Sequence, residues 1–132
     1  MIKLHLNARA VKIFCAAAVL LINAFPKGSV AEEQIEALRA PFYVGKSVLA
    51  CGKVAQVTSH SNVTYINLDR PYPNHTLAFV IWQSNLSDYE KRFGKLSVLE
   101  GRHVCGRGII EEYRNKLQII MKNPQFLRLM LS

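Results

Sequence analysis

The sequence has few of the residues from which catalytic and metal sites are built. It contains nine acidic residues against seventeen lysines and arginines, and only three cysteines. The cysteines form no C-x-x-C pair and have no histidine at a spacing typical of zinc sites, which argues against redox chemistry and structural zinc. His60, His75 and His103 are scattered along the chain, no serine lies in a nucleophile elbow, and no carboxylate pair is suggested by spacing. We therefore expect a protein that is not an enzyme and that holds no metal or cofactor.

Long hydrophobic runs are equally scarce, and the pronounced one lies near the amino terminus. Residues 1–12 carry three basic residues and no acid, and Ile13 to Phe25 is apolar apart from one asparagine. This run is short of the ~20 apolar residues that cross a bilayer, and small residues follow at 29–31, as at a signal-peptidase site. We expect a cleaved signal peptide over 1–31, export to the periplasm or secretion, and no integral membrane segment afterwards. An uncleaved amino-terminal anchor is the alternative.

Removal of that leader leaves residues 32–132, which are enough for one compact domain and too few for two. The formal net charge of the whole chain is +8, but four of the basic residues lie in the leader. The remainder has thirteen basic and nine acidic residues, a net charge of +4. That balance is compatible with a polyanionic partner, although an ordinary solvated surface with surplus lysine and arginine explains it as well.

Apolar alternation and β-branched residues predict five strands in this domain. The first is long and bent, with Gly52 where crowding at a corner or bulge must be relieved, and Gly108 has the same role in the fourth. The strands are expected at about 46–57, 63–69, 76–83, 103–111 and 117–121. Ser59–Asn62 and Tyr113–Lys116 are expected to be turns, and the proline-rich stretch Arg70–His75 a rigid loop.

One helix is predicted between the third and fourth strands. Ser87 with Glu90 three residues later has the pattern of a capping box, an apolar face follows at helical spacing, and Gly94 provides a stop. The segment 32–41 is expected to be an amino-terminal arm or a short helix that its proline ends. At the other end, Pro124 is expected to stop the sheet, and the apolar tail after it to cover an open end.

Two cysteines remain after the leader is removed, Cys51 in the first strand and Cys105 in the fourth. In an oxidising compartment two cysteines of a small domain usually pair, and these two strands would be neighbours in a small barrel. We expect a Cys51–Cys105 disulfide, which closes a loop worth roughly 4 kcal/mol on the chain-entropy model. Two buried free thiols are the alternative.

The order strand, strand, strand, helix, strand, strand within about 100 residues is that of the five-stranded OB-fold barrel, in which a helix plugs one end. The expected fold class is therefore all-β with one short helix. The OB-fold domain is expected over 42–132, after the signal peptide and the arm.

Four segments carry distinctive motifs: Val44–Val54 (V-G-K-x-V-x-x-C-G-x-V), Asn67–Asn74 (an asparagine-leucine strand end and a P-Y-P-N loop), Val80–Trp82 (V-I-W) and Gly101–Ile110 (G-K/R-x-V-C-x-x-G-x-I). They resemble the motifs of small exported bacterial OB-fold proteins, which are described as nucleic-acid-binding-like and are of uncharacterised function. The resemblance implies the fold and leaves the ligand open. One departure is Gly106, where the family pattern has an apolar β-branched residue, and we expect this glycine to loosen the fourth strand.

The ligand of an OB-fold commonly lies across strands two and three, between the loops that join strands one to two and four to five. Aromatic, cationic and amide side chains are expected at that face: Lys53, His60, Tyr65, Asn67, Arg70, Tyr72, Trp82, Tyr113, Arg114 and Lys116. Single-stranded nucleic acid binds such surfaces, because rings stack on bases at ~1–3 kcal/mol each while cations follow the phosphates. We therefore expect a non-catalytic binding module of the cell envelope for single-stranded nucleic acid or another polyanion.

Two alternatives stay open at this point. Tyrosine and tryptophan are ordinary strand residues, and Trp82 can belong to the core. The same open face, with an exposed loop around Tyr72, can instead hold an envelope protein, which would make the domain a protein-binding or structural module of the periplasm without nucleic-acid binding. The fold alone does not choose between these functions.

Overall fold

The computed structural model describes residues 32–131, which belong to one compact unit. The expected signal peptide at 1–31 and its cleavage lie outside the described residues, as does Ser132. No helix within 32–131 is both long enough and apolar enough to cross a membrane.

The described chain is mostly β and has one α-helix, as expected. Its strands are β1 Glu33–Glu36, β2 Ser47–His60, β3 Val63–Leu68, β4 Ala78–Trp82, β5 His103–Ile109, β6 Glu111–Tyr113, β7 Lys116–Ile120 and β8 Leu127–Leu129. The helix α1 spans Gln83–Phe93, and 3-10 helices occupy Ala37–Tyr43, Leu96–Leu99 and Pro124–Phe126. The five predicted strands correspond to β2, β3, β4, β5 and β7, so the predicted order of strands and helix is confirmed.

β2 is the strand to which most of the sheet is attached. Its first half pairs in parallel with β1 along one edge and antiparallel with β5 along the other. Its second half pairs antiparallel with β3. The change of partner coincides with a register shift between Val54 and Gln56, a bulge that bends the strand and increases its twist. The predicted bend is therefore present, but it lies beyond Gly52, whose missing Cβ instead gives room to the Ala37 side chain.

The strands do not close into a barrel. Pairing follows the order β6, β7, β4, β3, β2, β5, β8, with β1 added to β2. β5 has β2 on one edge and β8 on the other, while β7 has β4 and β6. Within the described residues no pairing joins β5 to β7, the contact that would close the sheet. The two strands approach where Gly108 leaves room for the Ile119 side chain. The closed five-stranded barrel of the prediction is corrected to an open, mixed sheet.

The segment 32–41, for which an amino-terminal arm or a short helix is expected, consists of the strand β1 and the beginning of the 3-10 helix Ala37–Tyr43. β1 pairs with β2 and buries Ile35, and these tertiary contacts override the helix propensity of a segment rich in glutamate, glutamine and alanine. Pro41 lies inside the 3-10 helix and does not end a helix before it. Because Ala37 and Ala40 are also buried, the arm is part of the packed domain.

The helix α1 begins at Gln83, before the predicted capping residue Ser87. The Gln83 N–H donates to the carbonyl oxygen of Asn62 at 2.8 Å, so the turn between β2 and β3 satisfies one of the free N–H groups at the start of the helix. The capping-box prediction is therefore wrong, and Ser87 lies within the helix. Gly94 ends α1 with a positive φ, as predicted.

The carboxyl-terminal segment extends the sheet. The buried Tyr89 of α1 donates from its hydroxyl to the Asn123 carbonyl oxygen at 2.9 Å, which holds the chain ahead of Pro124. β8 then pairs antiparallel with β5 and buries Leu127. The prediction that Pro124 stops the sheet is wrong, because this proline lies in the 3-10 helix before β8, where no ladder N–H is needed. The tail adds an edge strand where the prediction had it cover an open end.

Gly106 is a packing site for the aromatic ring of Phe79. Phe79 of β4 is fully buried, and a Cβ built at Gly106 would lie 2.5 Å from its Cζ atom, well inside van der Waals contact. The glycine thus provides the space that the ring occupies. β5 continues unbroken through Gly106 between β2 and β8, so the structure does not show the expected loosening.

The predicted Cys51–Cys105 disulfide is confirmed, and the free-thiol alternative is wrong. It joins directly opposed residues of β2 and β5, with the two Cα atoms 4.0 Å apart. The bridge lies in the half of β2 that also carries β1. It therefore fastens the part of the sheet in which three strands meet.

We predict that Gly106→Ala lowers the free energy of unfolding by about 1–3 kcal/mol, the usual cost of overpacking a core. Phe79→Leu removes the ring that the new methyl group would meet. The double variant should therefore lose less stability than the sum of the two single variants, as contacting residues do. Urea unfolding of the four proteins measures this coupling. An alanine variant as stable as the parent, or strictly additive losses, contradicts the packing.

Candidate functional site

At the bulge in β2, the residues that point away from the core change from odd-numbered to even-numbered positions. In the first half of the strand Val48, Ala50 and Val54 are buried in the core, whereas beyond the bulge Val57 packs against it. Residues of even number are thereby turned away from the core in the second half of β2. These are Gln56, Thr58 and His60.

Strand register places these side chains in rows that cross the sheet. Gln56 of β2 pairs with Asn67 of β3. Asn67 in turn pairs with Ala78 of β4, and Ala78 with Gln118 of β7. Paired residues share a face of the sheet. One row therefore presents three amide side chains and a single alanine. Tyr65 of β3 belongs to the neighbouring row, on the same face of the sheet.

Two loops border these rows. The loop after β3 carries Tyr72 and His75, whose rings stack with their centroids 5.8 Å apart. The hairpin between β6 and β7 turns at Arg114 and Asn115, both of which have positive φ, as a tight two-residue turn requires. The guanidinium carbon of Arg114 lies 5.2 Å from the centroid of the Tyr113 ring. Each loop thus brings an aromatic ring to the border of the sheet face.

A cleft of about 520 Å³ lies between the rows and the loops, a size typical of sites for small ligands. Its lining brings together seven of the predicted residues: His60, Tyr65, Asn67, Tyr72, Tyr113, Arg114 and Lys116. The other lining residues are Gln56, Thr58, His75, Ala78, Leu117 and Gln118. Arginine and lysine each contribute one permanent cation, and no carboxylate lines the cleft. The lining residues therefore carry a net positive charge.

Three predicted residues, Lys53, Arg70 and Trp82, do not line the cleft. Lys53 is exposed on the half of β2 that pairs with β5, where it lies opposite His103. Arg70 is exposed at the beginning of the loop after β3. Trp82 ends β4 with 44% of its surface exposed, so it is not a core residue either. The structure separates these three from the other predicted site residues.

Four polar lining residues are missing from the sequence-based prediction: Gln56, Thr58, His75 and Gln118. The first two are hidden by the bulge, because uninterrupted alternation from Val54 would turn them toward the core. The spacing of three between Val54 and Val57 is the signal from which the bulge could have been identified. His60 and His75, which are separated in the sequence, line the same cleft.

Hydrogen bonds fix the amide groups on the cleft floor. Gln56 Oε1 accepts from Asn67 Nδ2 at 2.8 Å and from the main-chain N–H of Tyr72 at 2.9 Å. Because a main-chain N–H can only donate, Gln56 must present its oxygen to the loop, and Asn67 must then present its nitrogen to Gln56. Gln118 Nε2 donates to Glu111 Oε2 at 2.8 Å. The orientation of each of these amides is therefore determined by its partner.

His75 is held in its neutral form at the edge of the cleft. Its pKa is lowered from the ordinary value of 6.5, chiefly because burial disfavours the imidazolium cation and further because the positive charge of Lys116 repels a second one. Its Nδ1 atom is buried and has no hydrogen-bond partner among residues 32–131. At neutral pH the cleft therefore combines neutral imidazole with permanent cations.

Metal-ligating side chains are not clustered in the described part of the chain. Within 32–131, no group of three or more histidine, cysteine, aspartate or glutamate side chains is placed to hold a metal ion. His60 and His75 share the cleft, but neither a cysteine nor a carboxylate lines it with them. The lining offers aromatic rings for stacking, amides for hydrogen bonding and two cations that attract negative charge.

No protein-family model matches the chain, and no curated protein sequence matches it. Solved structures do match. An OBody, AM1L10, bound to hen egg-white lysozyme has a TM-score of 0.55 and 15% identity, over 80% of this chain and 100% of that chain. The S. pombe Stn1-Ten1 complex gives 0.51 and 17%, over 70% of this chain and 68% of that chain. A putative aspartyl-tRNA synthetase from Leishmania major Friedlin gives 0.52 and 10%, over 80% of this chain and 22% of that chain.

At these identities the likeness concerns the fold alone. Together with the order of strands and helix, it shows that residues 32–131 adopt an OB-fold. The cleft lies across the strands and loops on which an OB-fold commonly carries its ligand.

We predict that His75 titrates below pH 6.5 in the folded protein. A histidine whose folded pKa is lowered binds fewer protons folded than unfolded, so stability should fall as the pH drops through about 6.5 and level off below the folded pKa. NMR titration of the His75 ring measures the midpoint. Lys116→Met should raise that midpoint without restoring 6.5, because burial is the larger cause, while the exposed Lys122→Met should leave it unchanged. A midpoint at or above 6.5 in the parent protein contradicts the assigned environment.

Proposed function

We propose that this protein is a non-catalytic binding module that holds single-stranded nucleic acid in the cleft across β2, β3, β4 and β7. The observation that carries the proposal is the composition of the cleft lining, with three tyrosines, two permanent cations and no carboxylate. Single strands expose the faces of their bases and one phosphate per nucleotide. Aromatic rings interleaved with cations bind both features at once.

The placement of the tyrosines supports stacking from several sides. Tyr65 is a half-buried residue of β3, fixed in the middle of the sheet. Tyr72 and Tyr113 lie on the bordering loop and hairpin, with 66% and 52% of their surfaces exposed. Rings are thus offered by a rigid strand and by two flanking segments. Such an arrangement accepts any base, because every base has a π-face.

The cations are confined to one border of the cleft. Arg114 and Lys116 flank the turn of the β6–β7 hairpin, and Arg114 lies over the Tyr113 ring. A phosphate held there would adjoin a base stacked on Tyr113. The charge is therefore placed where a backbone can run along the border while its bases turn into the cleft.

We further propose that the protein works outside the cytoplasm, as an exported module of the cell envelope. The basic and apolar leader at 1–31 supports this location. The Cys51–Cys105 disulfide supports it independently, because stable disulfides are typical of oxidising compartments. A partner encountered there would be extracellular or envelope-associated nucleic acid.

We predict that the purified protein binds labelled single-stranded DNA and RNA with an affinity that falls steeply with salt. Fluorescence anisotropy over about 50–200 mM salt measures this dependence. The double variant Arg114→Ala/Lys116→Ala should weaken binding and reduce the salt slope by about 0.7 for each phosphate that is no longer neutralised. Tyr65→Ala should weaken binding about 5- to 150-fold, the range that loss of one stacked base implies, and Tyr65→Phe should restore most of it.

A charge-matched control separates the cleft from general electrostatic attraction. Lys91→Ala/Arg128→Ala removes the same two types of cation from exposed positions on α1 and β8. Equal losses of affinity in the two double variants would show that binding depends on the overall charge of the protein and not on the cleft. No binding of either nucleic acid at low salt would contradict the proposed function and direct the search to a protein partner in the envelope.

A further inference from the structure

The floor of the cleft contains a depression at Ala78. This residue stands in the row between Asn67 and Gln118, so a side chain of one carbon separates two amides. Neighbouring strands lie about 4.8 Å apart, which places the two flanking positions about 9.6 Å from each other. Ala78 lines the cleft although only 4% of its surface is exposed. The longer side chains around it therefore form walls above a recessed floor.

The amides around this depression retain hydrogen-bonding atoms. Within 32–131, no hydrogen bond engages Asn67 Oδ1 or Gln56 Nε2, because the bonds of these two side chains use the opposite ends of their amides. Gln118 turns its Nε2 toward the Glu111 carboxylate, which leaves Oε1 as its open atom. Two acceptors of fixed orientation therefore flank the depression, and Gln56 adds a donor group on the far side of Asn67.

The electrostatic character of the floor differs from that of the border. Gln56, Asn67, Ala78 and Gln118 are uncharged, and the Glu111 carboxylate that accepts from Gln118 adds negative charge beside them. The cations Arg114 and Lys116 belong to the hairpin at the border. A phosphate would lose its hydration at the floor without gaining a cation, so it is better bound at the border. A planar, neutral group with donors and acceptors on its edge suits the floor.

We infer that the depression over Ala78 receives the edge of one unstacked nucleobase while the adjoining phosphate lies against the hairpin cations. The inference rests on the proposed function. It adds that the floor of the cleft recognises the base and that the border recognises the phosphate. A nucleobase edge carries hydrogen-bond donors and acceptors side by side, which sugar and phosphate do not. Binding should therefore depend on the presence of a base, beyond attraction to the backbone.

The test compares a single-stranded DNA 8-mer of mixed sequence with the same 8-mer in which every base is replaced by an abasic analogue. Ala78→Val fills the depression, removes no charge or hydrogen-bonding group, and suits a strand. It should weaken binding of the base-containing strand about tenfold and change binding of the abasic strand less than about twofold. The control Ser97→Val enlarges an exposed side chain in the 3-10 helix Leu96–Leu99, outside the cleft lining, and should leave both affinities unchanged.

A second variant keeps the test decisive if Ala78→Val does not fold, which thermal unfolding will reveal. Gln118→Ala removes one wall of the depression from a half-buried position and should likewise weaken the base-containing strand selectively. Variants that bind both strands as the parent does would overturn the base site while leaving the proposed function in place. Parent protein that binds both strands equally would overturn the base site and the stacking of bases on the cleft tyrosines. Parent protein that binds neither strand would overturn the proposed function itself.

Discussion

The pairing of β2 with three other strands is the constraint on which the rest of the structure depends. Its first half pairs with β1 and β5, and its second half with β3. The bulge between Val54 and Gln56 lets one strand serve both halves by bending it and by reversing which residues face the core. The Cys51–Cys105 bridge fastens the first half, and the cleft forms on the second.

The cleft divides its chemistry between a neutral floor and a charged border because two kinds of segment build it. The floor is a row of strand positions, where paired amides fix one another and tolerate burial. The border is a hairpin turn, where Arg114 and Lys116 remain near solvent and avoid the cost of burying a charge. One ligand that needs both environments is a nucleotide, with an uncharged planar base and an anionic phosphate.

The sequence was sufficient for features that depend on local pattern and was not sufficient for features that depend on register. Alternating apolar residues identified the five main strands, and the even cysteine count identified the disulfide. The bulge inserts one residue into β2, and its position was not predicted. Gln56 and Thr58 were therefore expected to face the core and were not included in the predicted site. β1 and β8 owe their strand conformation to partners distant in sequence. The fit of Phe79 onto Gly106 likewise joins residues whose proximity no local pattern reports.

The central claim is that the cleft is where the ligand binds, and chemical-shift mapping tests it most directly. A single-stranded DNA 8-mer would be titrated into the isotope-labelled protein at low salt. The account predicts that the largest shifts occur at Tyr65, Ala78 and Lys116, with little change along α1 and β8. Shifts concentrated on α1 or β8, or spread evenly over all basic residues, would contradict the assignment of the cleft as the binding site.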